Sequence, residues 1–124
     1  MATSGMQLQD GGNRVAAADL SAKQYFAVKQ TTTPRQVNLA STGGEAIAGI
    51  LLNTPTQGQA TIICQRGVCQ AQIGTNGVTA GDQLMTEAGT AKLVTKTSTN
   101  VVVAVAIDTA AAGVVGTVDV GATG

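Results

Sequence analysis

The sequence predicts a small all-β domain, in which short antiparallel strands close into a barrel or sandwich. Two observations support this fold class. Short runs rich in β-branched residues recur along the chain, and most of the sixteen glycines lie between them. Many short strands joined by tight turns require both features, because glycine adopts the backbone angles that turns need. At 124 residues, the chain is long enough for one domain.

The predicted strands can be placed from these runs. They cover residues 25–29, 36–40, 45–52, 60–64, 68–73, 91–95, 101–107 and 114–120. Pro34 separates the first two, because proline cannot donate to a strand ladder. Residues 101–107 are apolar on both faces, which predicts a strand covered on both sides and placed in the core. Residues 114–120 alternate, which predicts one wetter face.

The two halves of the chain have similar patterns. Segment 53–58 (NTPTQG) stands about 55 positions before segment 108–113 (DTAAAG), and each follows an apolar run and precedes a strand. Segments 20–26 and 36–39 are likewise similar to segments 78–84 and 90–93. These parallels predict two similar halves within one barrel or sandwich. The alternative is chance likeness, because Asn or Asp followed by Thr and Gly is ordinary turn chemistry.

The first residues differ in character from the rest. Residues 1–13 are polar, rich in glycine and without periodic pattern. The sequence therefore predicts a flexible, extended N-terminal arm over residues 1–14 and a single β domain over residues 15–124. A plain frayed terminus is the alternative. Since Ala, Val and Gly supply most of the apolar content, a lone copy buries little area, and we expect an oligomer or a bound subunit.

The two cysteines flank a predicted hairpin loop at residues 65–67. If residues 66–67 form a two-residue loop, Cys64 and Cys69 stand opposite each other, near enough for a disulfide. If residues 65–67 form a three-residue loop, Cys69 stands opposite Ile63 and no bond forms. The sequence leaves both registers open. A zinc site would need four ligands, and the chain has two cysteines and no histidine.

Charge and hydropathy argue against several classes of partner. The formal net charge is zero, and lysines and arginines are scattered singly. Nucleic acids and anionic membranes attract clustered basic residues, so we expect neither as a partner. No apolar run is long enough for a transmembrane helix. The first twelve residues also lack the basic start and apolar segment of a signal peptide, which predicts synthesis in a cytoplasm.

No constellation of residues carries an enzymatic reaction. The absence of histidine removes the commonest general base and metal ligand. The seven carboxylates mostly stand in apparent turns, where their side chains bond the local backbone. No phosphate-binding glycine motif occurs. We therefore expect a protein that is not an enzyme, with no catalytic residues, no metal site and no cofactor.

Several segments resemble one family. Residues 48–58, Gly67, and residues 78–84, 87–92 and 103–107 are similar to the small capsid cement, or head decoration, proteins of tailed bacteriophages. The likeness extends over about residues 19–120 and consists of turn and strand patterns. It implies a β-tulip-like barrel and a structural virion protein, made in the host cytoplasm, that binds the outer surface of the capsid. The implied partners are the major capsid protein and, in a homotrimer at threefold positions, the protein itself.

The resemblance transfers no binding motif residue by residue, so only regions can be nominated. The predicted capsid-contacting arm comprises Gly5, Met6, Gln7, Leu8, Gln9 and Asp10. The predicted interface loops contribute Thr54, Pro55, Gln57, Thr109 and Ala110. The alternatives are a phage tail or fibre β-module and a small carbohydrate-binding domain. A sugar binder usually offers aromatic platforms, and Tyr25 and Phe26 are the only aromatic residues.

Overall fold

A computed structural model describes residues 7–97 and 100–122, and over these ranges the chain forms nine strands and no helix. The strands are β1 (Gln7–Ala16), β2 (Ala27–Gln30), β3 (Gln36–Leu39), β4 (Gly49–Leu51), β5 (Ala60–Gln72), β6 (Gln83–Thr86), β7 (Leu93–Thr95), β8 (Ala104–Ala106) and β9 (Val115–Val120). The predicted all-β class is therefore confirmed. No helix within these ranges has the length and apolarity needed to cross a membrane.

The first five strands close into a barrel. The strand order is β1-β3-β2-β4-β5-β9-β8-β6-β7, and β1 pairs with β5 as well as with β3. The β1–β3 pair is parallel, and the other strand pairs are antiparallel. Because β1 pairs with both β3 and β5, the five strands β1-β3-β2-β4-β5 form a closed circle. The predicted small barrel is confirmed.

The last four strands repeat this arrangement on the second part of β5. They follow the order β5-β9-β8-β6-β7, and a parallel bridge from Ile73 to Leu93 returns to the end of β5. The same parallel contact joins Ala16 to Val37 in the first half. Thus β5 is shared, since its first part belongs to one barrel and its second part to the other. The predicted similarity of the two halves is confirmed.

Backbone hydrogen bonds recur with the same spacing. In the first half the Leu51 N–H donates to the Phe26 carbonyl, and in the second the Ala106 N–H donates to the Asp82 carbonyl, both at 2.9 Å. Further equivalent bonds are Ala48 to Val28 and Val103 to Leu84, Leu52 to Ile62 and Ile107 to Thr117, and Gly58 to Ala16 and Gly113 to Ile73. Chance likeness between turns would not reproduce this network.

The interiors of the two barrels are built from equivalent positions. The first barrel buries Ala16, Leu20, Val28, Val37, Leu51 and Ile63, and the second buries Ile73, Val78, Leu84, Leu93, Ala106 and Val118. A further set lies in one continuous cluster with the second interior and joins the halves: Ala27, Ala40, Ile50, Cys64, Cys69, Ala71, Ala91 and Val120. The halves therefore pack through small side chains.

The structure corrects the predicted arm over residues 7–14. These residues begin β1 and pair with β5, with Gln7 opposite Gly67 and Gly11 opposite Ile62. The pairing is made by main-chain groups, and the sequence of this segment has no apolar alternation that would have predicted a strand. Residues 1–6 lie outside the described residues. The boundary expected between residues 14 and 15 falls inside a strand.

Three predicted strand assignments also require correction. The hairpin at residues 65–67 was wrong, because β5 continues through these residues and Gly67 takes a φ of 105° within the strand. The strand expected over residues 101–107 is limited to β8. Val101 and Ile107 are 45% and 42% exposed, so the expectation of a fully buried strand was wrong at both ends. The strand expected over residues 45–52 is likewise limited to β4.

Candidate interaction surfaces

The residues predicted as a capsid-contacting arm lie along the molecule itself. Gln7, Leu8, Gln9 and Asp10 pair with β5 at Gly67, Arg66, Cys64 and Ile63, and Gly5 and Met6 fall outside the described residues. The Leu8 side chain is 57% exposed. The main chain of residues 7–10 therefore already pairs with one neighbour, β5, within the same molecule.

The two predicted interface loops occupy equivalent positions in the two halves. Thr54, Gln57 and Thr109 are exposed, and Ala110 is half-buried. Pro55 is buried, and its carbonyl accepts the Leu20 N–H at 2.9 Å, which holds the loop in place. Ala110 exchanges two backbone hydrogen bonds with Val78, at 2.9 and 3.0 Å.

These loops do not form one surface. The loop with Thr54 and Gln57 precedes Ala60, which begins β5. The loop with Thr109 and Ala110 is tied to the other end of β5, because the Gly113 N–H donates to the Ile73 carbonyl at 3.0 Å. The structure thus separates the predicted interface residues into two regions.

A polar groove, which the sequence did not predict, lies beside β1. It has a volume of about 460 Å³ and is lined by Gln9, Asn13, Arg14, Gln30, Arg35 and Gln65. We refer to these six residues as the arginine groove. Two of these six residues carry guanidinium groups, and the other four carry neutral carboxamides. The lining residues come from four separate segments, which is why no local motif pointed to the groove.

A bulge in β1 presents part of this lining. Gly11 pairs with Ile62 and Val15 with Ala60, so the three residues between Gly11 and Val15 face one residue of β5. Asn13 and Arg14 lie in this bulge, which bends the strand. The buried Thr61 hydroxyl donates to the Arg14 carbonyl at 3.1 Å and fixes the bulged backbone.

Arg35 is positioned by a turn that both halves share. It has a φ of 59° in the β2–β3 turn, and Ala91 has a φ of 60° at the equivalent place between β6 and β7. The Arg35 carbonyl accepts the Val15 N–H at 2.8 Å. The fold therefore imposes a left-handed residue at both positions, while the side chain differs.

The groove exists only in the first half. Gln30, Arg35 and Gln65 are equivalent to Thr86, Ala91 and Val120, as the pairs Gln30 with Val37 and Thr86 with Leu93 indicate. All three second-half residues are buried, at 0%, 0% and 2% exposure. The same region of the fold is therefore buried in the second half and polar and open in the first.

A loop of the first half covers the equivalent region of the second. The Thr86 hydroxyl donates to the Thr42 carbonyl at 3.1 Å, and the Gly44 N–H donates to the Thr86 carbonyl at 3.0 Å. The Gly89 N–H also donates to the Ser41 carbonyl at 3.0 Å. Residues 41–44 thus cover this region of the second half, whereas the equivalent region of the first half, above the arginine groove, stays open.

Two carboxylates hold loops in place through hydrogen bonds. Glu45 accepts hydrogen bonds from the Ser41 and Thr42 N–H groups at 2.8 and 2.6 Å and pairs with Lys29 at 3.2 Å. Burial acts to raise the pKa of Glu45, but the Thr42 N–H and Lys29 outweigh it, so the pKa is lowered.

Glu87 has a similar role in the second half. Its carboxylate accepts from the Thr90 hydroxyl at 2.6 Å and from the Thr75 N–H at 3.2 Å. These bonds, the one from Thr90 first, lower the pKa of Glu87. Both carboxylates therefore have structural partners, as expected for acidic residues in turns.

The cysteines are free thiols and both are buried. They lie in β5 on either side of Gly67, so neither hairpin register applies. A hydrogen bond with Cys64 and burial raise the pKa of Cys69, which keeps that thiol protonated. Among residues 7–97 and 100–122, no group of three or more His, Cys, Asp or Glu side chains is arranged to hold a metal ion.

Comparison with known proteins identifies the fold. No protein-family model and no curated protein matches the chain. A solved structure does match: the N base of the head fiber protein gp8.5 of bacteriophage phi29, at a TM-score of 0.70 and 14% sequence identity. The match covers 95% of this chain and 97% of that chain. The two chains share one fold. At this identity the likeness is evidence for the fold alone.

Proposed function

We propose that this protein is a structural protein of a bacteriophage virion, which binds the outer surface of the capsid shell and stabilises it. The observation that carries the proposal is the shared fold with the head fiber base over 95% of the chain. The sequence resemblance to capsid decoration proteins points to the same class of particle. In this proposal the partners are the major capsid protein and two further copies of the chain, in a homotrimer at threefold positions.

Exposed apolar side chains near one of the predicted loops support that loop as a shell contact. Ile107, Val114 and Val115 flank Thr109 and Ala110, and the three side chains are 42%, 45% and 40% exposed. The equivalent first-half residues are Leu52, Gln59 and Ala60. The fold thus accepts a polar or small residue at two of these positions, so stability of the half does not require the valines. Their burial against another protein would favour binding, at about 25 cal/mol per Å².

The test is co-sedimentation of purified protein with expanded shells that have been stripped of decoration. We expect saturable binding at a stoichiometry that matches the threefold positions, and a higher melting temperature of the shell. Val114→Gln and Val115→Ala copy the first half and should weaken binding. Gln59→Ala, at the equivalent place, is the matched control and should not. Absence of saturable binding to cognate shells would reject the proposal.

The likeness to a head fiber base favours a second candidate, in which the domain anchors a fibre to the head. The two candidates differ in what binding does to the shell. A decoration protein raises the melting temperature of the shell in proportion to occupancy, whereas an anchor binds at sparse sites and leaves that temperature unchanged. Occupancy and shell melting measured in one titration therefore separate the two. In either candidate the expectation that the chain is not an enzyme stays a prediction.

A further inference from the structure

We infer that the arginine groove binds an extended peptide segment carrying an aspartate or glutamate side chain, in the place that residues 41–44 take on the second half. The inference rests on the proposed function only for the source of that segment, which would be the shell protein. Three observations carry it: the charge of the lining, an open main-chain edge at Gln30, and the covered counterpart in the second half.

The guanidinium of Arg35 selects the ligand. Arg35 lines the groove together with the neutral carboxamides of Gln30 and Gln65. Within the described ranges, the Arg35 guanidinium takes part in no hydrogen bond or ion pair. A planar guanidinium matches a carboxylate in a two-bond geometry, and such charge-assisted bonds are stronger than neutral ones. The groove volume also lies within the range of about 300–1,000 Å³ that is usual for ligand sites.

The main chain at Gln30 can receive a peptide. The Thr31 N–H donates to the Gln36 carbonyl, so Thr31 is bonded across the β2–β3 ladder. Because bonded and non-bonded residues alternate in an antiparallel pair, the N–H and C=O of Gln30 point away from β3. The Gln30 side chain is itself occupied, because its amide donates to the Thr31 and Thr33 carbonyls at 3.1 and 3.0 Å.

The second half contains this binding mode in completed form. There the carbonyl of Thr86, the equivalent of Gln30, accepts the Gly44 N–H, and residues 41–44 lie across Thr86 and Gly89. Addition of an extended segment to an exposed strand edge is a common mode of peptide recognition. What differs in the first half is Arg35 in place of the buried Ala91, which converts a self-covered apolar site into one that selects an anion.

The experiment uses the full chain and an array of capped hexapeptides in which each position is varied. We expect a preference for Asp or Glu at one position. Arg35→Ala should weaken binding of the preferred peptides by about tenfold, because one charge-assisted pair is lost. Replacement of the acidic residue by its amide should cause a similar loss. Arg66→Ala removes an exposed arginine outside the groove and should leave binding within about twofold of wild type.

The other outcomes overturn the inference. Equal binding of acidic and neutral peptides, or wild-type binding by Arg35→Ala, would show the groove to be only a polar cap on the barrel. Binding of trigalacturonate at Arg35 without peptide binding would assign the groove to acidic sugars. Because Ala91 already has the Arg35 backbone conformation, Arg35→Ala is expected to fold normally. No shells are used, so failure here leaves the shell-binding test to decide the proposed function separately.

Discussion

The two halves of this protein have one fold and two different surfaces. Their interiors use equivalent positions, and their backbone hydrogen bonds recur pair by pair. Their other faces differ, because the first half covers the second with residues 41–44 while nothing in the described chain covers the equivalent place on the first. The packing is therefore head-to-tail, and such an arrangement always leaves one unmatched face at each end. The shared fold determines the backbone of both halves, whereas the place of each half in the pair determines which of its faces stays uncovered.

We expect the largest loss of stability from a substitution that gives β4 the residue found at the equivalent place in β8. Gly49 has a φ of 155°, and a Cβ added there would collide with the Cys64 carbonyl and the Ile63 side chain, whereas Ala104 occupies the same place in β8. We expect Gly49→Ala to reduce the free energy of unfolding by about 4 kcal/mol, from strain and overpacking together. Urea denaturation followed by circular dichroism measures this loss.

The matched control for this substitution is Gly11→Ala. Nothing lies within 4 Å of a Cβ placed at Gly11. Its free energy of unfolding should stay within about 0.5 kcal/mol of wild type. If Gly49→Ala were equally mild, the two strands would be closer in geometry than the structure indicates.

The second prediction compares the two interiors. Leu84 and Val28 are equivalent and fully buried. Leu84→Ala should cost about 3 kcal/mol and Val28→Ala about 2 kcal/mol, since the larger side chain leaves the larger cavity. Because β5 belongs to both barrels, each variant should still unfold in a single transition. Two resolved transitions in calorimetry would mean that the halves are independent, contrary to the shared strand.

The third prediction uses the pH dependence of stability. The pKa values of Glu45 and Glu87 are lowered in the folded protein. Their contribution is therefore present above the unfolded pKa, about 4.5, and is lost as the pH falls through the lower folded values. The melting temperature should drop as the pH falls below about 4.5, and Glu45→Gln and Glu87→Gln should each make this drop shallower. If both variants kept the wild-type pH profile, these carboxylates would not be responsible for the pH dependence of stability.

The smallest effect on stability is expected for Arg35→Ala. The left-handed turn tolerates alanine, as Ala91 demonstrates in the second half. The melting temperature should shift little, with a change in unfolding free energy within about 0.5 kcal/mol. A large loss would indicate that Arg35 supports the fold and is not reserved for a ligand.

Much of the fold could be predicted from local pattern, and the errors have physical causes. The alternation in residues 114–120 correctly placed Val118 and Val120 inside. Residues 65–67 predicted a turn because they end in a glycine, which readily adopts positive φ angles. Gly67 does have a φ of 105°, but within a continuous strand. Tyr25, with a φ of 73°, takes a turn conformation that its residue type does not suggest, because the fold imposes it.

The candidate site could be predicted from the sequence less well than the fold. Arg14 and Arg35 are separated in the chain and become neighbours only when β1 closes the first barrel. The pairing of residues 7–10 likewise depends on backbone contacts with β5, more than fifty residues away. Contacts of this range leave no local signal in composition or periodicity, whereas turns and alternating strands do.

Strand β5 also sets an order for folding during synthesis. It is the last strand that the first barrel needs and the first that the second barrel needs. A growing chain therefore has all the strands of one closed barrel once Gln72 has left the ribosome, before β6 exists. The N-terminal unit can close early and present half of β5 as a ready edge. The second barrel then assembles against a template already in place, which shortens the search for its long-range pairings.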